Sequence, residues 1–250
     1  MRKLKSMKFL MSSLLICMLF GVTSVSAQEE NFPFDLEKYK VKKSYVDVHQ
    51  KGILEPENIE SSALLIDDAS QLEITMTNSK TGERNFGSIE EIETQKIYDL
   101  IDKETGEEVA QYKTEIKAVS EHQTSGNASD SSNGMVFYET IYYTVTLDDP
   151  GFSYININKI DYRLEIKDSL YKVTEKKMEI QQNGMGISGK TVSNQTKKID
   201  LSNSGTILPR NYGWTAVNVP SPGARVGTIT TAKIEVKGSS WDFSFPMNPR

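Results

Sequence analysis

The chain has 250 residues, of which 34 are acidic and 29 are basic, so its formal net charge is −5. Such a protein lacks the basic patches that hold nucleic acids and anionic membranes, and we expect neither as a partner. One cysteine and two histidines are too few for a common zinc site or for a thiol- or histidine-based protease.

The N-terminus has the pattern of a secretory signal peptide. Four basic residues come first: Arg2, Lys3, Lys5 and Lys8. An apolar run over 9–20 follows, and "VSA" at 25–27 fits a cleavage site. Because a membrane-spanning helix needs about 20 apolar residues, we expect no membrane insertion. The pattern predicts signal peptide 1–27, cleavage between Ala27 and Gln28, and an extracellular protein.

Cys17 lies inside the predicted signal peptide. Ile16 precedes it, where a lipoprotein signal needs a small residue, so we expect no lipid attachment at Cys17. The mature chain then has no cysteine, no disulfide and no thiol nucleophile, and its core must hold it together. No wall-anchor motif follows Phe245, so we expect any cell-surface association to be non-covalent.

Residues 28–60 are polar and predict an N-terminal arm or linker with one strand at 45–48. Residues 61–119 form a first group of strands: apolar and polar residues alternate over 72–77, and a turn is predicted at 102–107. The segment 86–95 is ambiguous, because Ser88 and Glu91 fit a helical capping box.

The segment 120–134, "SEHQTSGNASDSSNG", predicts an exposed flexible loop. It precedes a C-terminal β domain, 135–250, and the sequence leaves open whether the loop is a domain boundary or a long hairpin tip. Alternation over 135–147 and 160–167 predicts half-buried strands, with a hairpin at Asp168. The alternation slips between Val173 and Met178, which predicts a bulge.

Two stretches, "KIDYRLEIKDSLYKV" and "VGTITTAKIEVKGSSWDF", resemble the C-terminal part of small β-rich secreted proteins of Gram-positive bacteria whose function is unassigned. The resemblance covers the C-terminal part of the chain and implies a β-sandwich and export. It transfers no catalytic or ligand-binding residue. Together with the alternation, it predicts an all-β, antiparallel sandwich, of one domain or of two small subdomains.

No catalytic or metal-binding motif occurs, and we predict no cofactor, no catalytic residue and no metal ligand. His49 and His122 have no further histidine near them. The acidic turns at 66–70 and 148–151 lack the spacing of a calcium loop. Glu139 is the one candidate acid, since it lies on the apolar face of 135–147, where burial would raise its pKa; an edge-strand glutamate that reaches solvent is the ordinary interpretation.

The two tryptophans differ in their surroundings. Trp241 begins an alternating strand after Gly238 and is predicted to lie in the core. Tyr212, Trp214 and Asn218 share one face of a predicted strand, and two valines share the other. If the valines face the core, Tyr212, Trp214 and Asn218 form a ligand-binding surface. Otherwise Tyr212 and Trp214 lie in the core.

These features favour a secreted, non-catalytic β module that binds a glycan or a surface protein. The alternative is a hydrolase that uses two carboxylates, as glycosidases do. A second alternative is a pore-forming protein, in which the strands that flank 120–134 extend into a membrane hairpin.

Overall fold

The computed structural model describes residues 32–46, 72–120, 134–148 and 152–248. Antiparallel strands, joined by backbone hydrogen bonds into a 14-stranded sheet, dominate this part of the chain. The strands are β1 Tyr39–Ser44, β2 Thr75–Asn78, β3 Arg84–Phe86, β4 Ser88–Asp102, β5 Glu108–Ser120, β6 Met135–Leu147, β7 Ser153–Ile166, β8 Tyr171–Gly186, β9 Thr191–Val192, β10 Thr196–Asp200, β11 Ser204–Ile207, β12 Val217–Asn218, β13 Arg225–Val236 and β14 Ser239–Met247. A 3₁₀ turn, Pro209–Tyr212, lies between β11 and β12.

The sheet curls back on itself. Its order is β1-β4-β5-β6-β7-β12-β8-β13-β14-β2-β3, with β9 and β10 added to β8 and β11 added to β7. β3 leads into β4 through Gly87, whose N–H donates to the carbonyl of Ile74 at 3.0 Å. Phe137 on β6 meets Phe245 on β14 edge to face, with ring centroids 6.0 Å apart. The all-β, antiparallel prediction is confirmed; the hydrogen bonds establish one curled sheet and do not by themselves divide it into the two layers of a sandwich.

The predicted alternation places the apolar residues in one main core. Residues on the inner phase of β2, β6, β7 and the segment before β2 are buried: Leu72, Ile74, Met76, Met135, Phe137, Ile141, Tyr143, Val145, Ile160 and Leu164. Two predicted inner residues are exposed instead, Leu147 to 65% and Ile166 to 42%, because each lies at the end of its strand. The period-two signal therefore holds along the strands and fails at their ends.

The local turn signals are also confirmed. Gly106, with a φ of 77°, lies in the turn between β4 and β5, where the Asp102 side chain accepts backbone hydrogen bonds. The hairpin at Asp168 joins β7 to β8, and Glu175, with a φ of 50°, marks the predicted bulge. The ambiguous segment 86–95 contains the end of β3, Gly87 and the first part of β4, so the capping-box interpretation is wrong.

The described part of the N-terminal arm packs on the sheet. Its strand is β1, which pairs with β4, so the prediction of a strand at 45–48 is wrong for residues 45 and 46, and residues 47 and 48 lie outside the described ranges. Phe34 is fully buried with Leu100 and Val109 in a second, smaller core. Arg210 donates to the Phe32 carbonyl at 2.6 Å, which ties the arm to the 3₁₀ turn.

Several predictions lie outside the described residues. They are the signal peptide with Ala27 and Gln28, His49, His122, the acidic turn at 66–70 and the body of the 120–134 loop. The strands on either side of that loop are neighbours, because β5 pairs with β6 from Ala110 to Ser120. The loop therefore connects adjacent strands of one sheet.

Candidate functional site

Tyr212 and Trp214 form a pair of aromatic side chains just before β12, the short strand that pairs with both β7 and β8. Tyr212 ends the 3₁₀ turn that Pro209 begins, and Gly213, with a φ of 67°, reverses the chain before Trp214. The two ring centroids are 5.2 Å apart at an interplanar angle of 60°. Both side chains are half-buried and pack against the main core. Each ring thus has one part held by the core and another part open to solvent.

The predicted strand over 212–219 is wrong, although the two aromatic residues do lie together. Regular strand structure is confined to β12, and Asn218 is buried, with its side-chain amide donating to the Ser153 carbonyl at 3.2 Å. The Asn218 side chain therefore links β12 to β7 and does not share a surface with Trp214. The predicted order of exposure is confirmed, because Trp241 is only 3% exposed whereas Trp214 is half-buried.

Buried amide side chains fix the segment that carries Trp214. The Gln195 side chain accepts a hydrogen bond from the Thr215 N–H at 2.5 Å and donates to the Thr215 carbonyl at 2.8 Å. Gln182 donates to the same carbonyl at 2.9 Å and accepts from the Ile157 N–H at 2.7 Å. Because unpaired amides are costly inside a protein, these bonds select one position for the residue after Trp214.

Sequence reasoning did not find Gln182 and Gln195. Gln182 follows Gln181 in a strand and Gln195 lies in a polar stretch, and the side-chain partners of both lie 13 to 33 residues away. The 3₁₀ turn had a readable signal, because proline at the first helical position and glycine just after the last one are the usual ends of a short helix. Pro209 and Gly213 occupy those places.

Lys197 lies beside the aromatic pair. Its Nζ is 5.9 Å from the centroid of the Tyr212 ring, within the range of a cation–π contact. Burial raises the pKa of the Tyr212 hydroxyl, which keeps that side chain neutral. The site thus combines two aromatic surfaces with one cationic group.

Glu139 is buried in the core, which contradicts the interpretation of a glutamate that reaches solvent. Its side chain is 1% exposed and accepts hydrogen bonds from the Thr228 hydroxyl at 2.5 Å and the Thr230 hydroxyl at 3.5 Å. Burial raises its pKa to about 7. A catalytic acid must touch its substrate, whereas the Glu139 carboxyl is bonded to Thr228 and Thr230 inside the core.

A groove of about 920 Å³ lies over the outer face of β4 to β7. Two charged residues of its lining, Lys117 and Glu90, form an ion pair at 2.5 Å. The ring of Tyr138 is covered by the Arg163 guanidinium, whose central carbon lies 4.1 Å from the ring centroid. One face of the Tyr138 ring is therefore already occupied by a cation.

The described part of the chain shows neither a candidate metal site nor a membrane-spanning helix. Residues 32–46, 72–120, 134–148 and 152–248 contain no cluster of three or more histidine, cysteine or acidic side chains that could hold a metal. Of the acidic turn at 148–151, only Asp148 is described, and its carboxylate accepts from the Phe152 N–H at 3.1 Å. The same ranges contain no helix that is long and apolar enough to cross a bilayer.

Comparison of the chain with protein-family models, with curated proteins and with solved structures finds no match. What the site does must therefore be inferred from its own geometry.

Proposed function

We propose that this protein is a secreted, non-catalytic β module that binds a glycan or a surface protein through Tyr212 and Trp214. The observation that carries the proposal is the pair itself: two half-buried rings, edge to face, beside a cation. Aromatic side chains dominate the energetics of binding surfaces, and a ring that is held in place loses little conformational entropy when a ligand arrives.

The hydrogen bonds that the Gln182 and Gln195 side chains form with the Thr215 backbone supply that rigidity. They join the Trp214 segment to β8 through Gln182 and to the chain before β10 through Gln195. A site held by second-layer hydrogen bonds keeps its geometry better than one on an unsupported loop. Secretion, in turn, is proposed from the N-terminal signal pattern.

The test is an unbiased screen of glycans and bacterial surface proteins with the secreted protein. Any ligand found is then titrated against W214A and Y212A. Because truncating a central aromatic residue typically removes 2 kcal/mol or more, we expect each variant to weaken binding by about 30-fold or more.

Y138A is the matched control, because Tyr138 is an aromatic residue of the outer groove. It should bind as the unaltered protein does. Loss of binding in Y138A, with binding by W214A unaffected, would show that the ligand binds in the groove and would refute the assignment of the site to Tyr212 and Trp214.

A further inference from the structure

The two neighbouring lysines of β10 have opposite surroundings. Lys198 forms an ion pair with Glu179 at 3.0 Å. Lys197 points to the other face of the strand, toward Tyr212, since successive side chains of a strand alternate. Lys197 is exposed and takes part in none of the ion pairs formed within the described ranges. A cation beside the aromatic pair is therefore not neutralised by a carboxylate of the described chain.

One side chain holds this lysine and the aromatic pair together. Gln195 precedes Lys197 by two residues, and its amide group bonds both the N–H and the carbonyl of Thr215, which follows Trp214. The Gln195 N–H donates to the Asn183 side chain at 2.9 Å, so the start of β10 is also fixed to β8. The backbone of β10 at Lys197 and the segment that carries Trp214 are thus held in one relative position before any ligand binds.

We propose that the site takes a carbohydrate that carries a carboxylate or phosphate group, with Lys197 contacting the anion while the sugar face lies against Trp214. This inference rests on the proposed function and narrows its ligand class. A sugar presents an apolar face to an aromatic ring and carries its charged group at the rim, and the ammonium group of Lys197 lies over the neighbouring Tyr212 ring, 5.9 Å from its centroid. An ammonium that contacts an anion forms a charge-assisted hydrogen bond, which is stronger than a neutral one.

The acidic balance of the whole chain argues for a local anion contact. A net charge of −5 gives no long-range attraction for a polyanion, unlike the basic surfaces of nucleic-acid-binding proteins. Recognition of the anion then depends on one short-range contact and not on long-range electrostatic attraction. We therefore expect binding of short anionic oligosaccharides with only a modest dependence on salt.

The experiment uses the secreted protein and three matched sets of oligosaccharides: neutral, uronic-acid-bearing and phosphate-bearing. Affinities are measured for the unaltered protein and for K197Q, K197R, K198Q and W214A. We expect at least one anionic set to bind about three- to tenfold more tightly than its neutral match. K197Q should lose this preference, K197R should retain it, K198Q should be unchanged, and W214A should bind none of the sets well.

The outcomes separate the two proposals. If carbohydrates bind through Trp214 but neutral and anionic sets are equal, or K197Q keeps the preference, the role of Lys197 is refuted and the proposed function stands. If no carbohydrate of any set binds, the anionic-carbohydrate inference is refuted, and only a protein ligand from the screen would sustain the proposed function. The preferred anionic set identifies the ligand group as carboxylate or phosphate.

Discussion

Glu139 should make the protein less stable as the pH rises toward neutrality. Burial disfavours the charged form and raises the pKa of the Glu139 carboxyl in the folded protein to about 7, from the usual value of 4.5. Between these two values the folded protein keeps a proton that the unfolded chain has released. Raising the pH therefore favours unfolding, and the loss is complete above the folded pKa. The interval of about 2.5 pH units corresponds to about 3 kcal/mol, at 1.36 kcal/mol for each unit.

Glu139→Gln removes this titration while keeping a side chain of similar shape. The amide can still accept a hydrogen bond from Thr228, and its cross-strand neighbours, Ile116 and Tyr162, are unaffected. At pH 8 the variant should be more stable than the unaltered protein by up to about 3 kcal/mol, and near pH 5 the difference should be small.

The assay is denaturant unfolding of both proteins from pH 5 to pH 8.5. The difference between the two curves isolates Glu139 from every other titrating group, including the two histidines. Glu104→Gln, at an exposed position of the β4–β5 turn, controls for the loss of one acidic charge and should follow the unaltered protein. Parallel curves for the unaltered protein and Glu139→Gln would refute the assignment of a buried, proton-holding carboxyl.

Four further outcomes are expected. Trp241→Ala should lower the free energy of unfolding by about 3 to 5 kcal/mol in denaturant titrations, whereas Trp214→Ala, at a half-buried ring, should cost about 1 to 2 kcal/mol; equal losses would contradict the difference in burial. Gln195→Leu should cost about 1 to 3 kcal/mol, since it removes the acceptor of the Thr215 N–H while Gln182 still donates to the Thr215 carbonyl, and it should speed hydrogen exchange of the Thr215 amide; unchanged exchange would argue against the role of Gln195 in holding this segment. Gly87→Ala should lower the melting temperature, because a Cβ there would lie 2.5 Å from the Val119 carbonyl oxygen; an unchanged melting temperature would show that the backbone shifts freely. N-terminal sequencing of secreted material should begin at Gln28, and a product that retains residues 1–27 would contradict the signal-peptide prediction.

Strand content was readable from the sequence because it depends on local pattern. Alternation over 135–147 required only that one face be buried, and the bulge at Glu175 showed itself as a slip in that alternation. The order of the strands was not readable, because it depends on pairings between distant segments. β2 pairs with β14, for example, from opposite ends of the described chain.

The candidate site was predicted only in part. The Tyr212 and Trp214 pair was found because aromatic residues are conspicuous, but its backbone was misassigned as strand when Pro209 and Gly213 indicated a short 3₁₀ turn. Glu139 was placed on the correct face of its strand, yet its burial depends on threonines of β13 about 90 residues away. Lys197 has no sequence signal at all, since only the fold brings it to the rings.

The measurement that tests the central claim most directly is fluorine NMR of the 5-fluorotryptophan-labelled protein, titrated with a ligand from the screen. The two tryptophans give two resonances, which W214F assigns. We predict that the Trp214 resonance shifts on binding, because the ring contacts the ligand, while the buried Trp241 resonance stays in place. Saturable binding that leaves the Trp214 resonance unmoved would contradict the claim that this aromatic pair is the binding site.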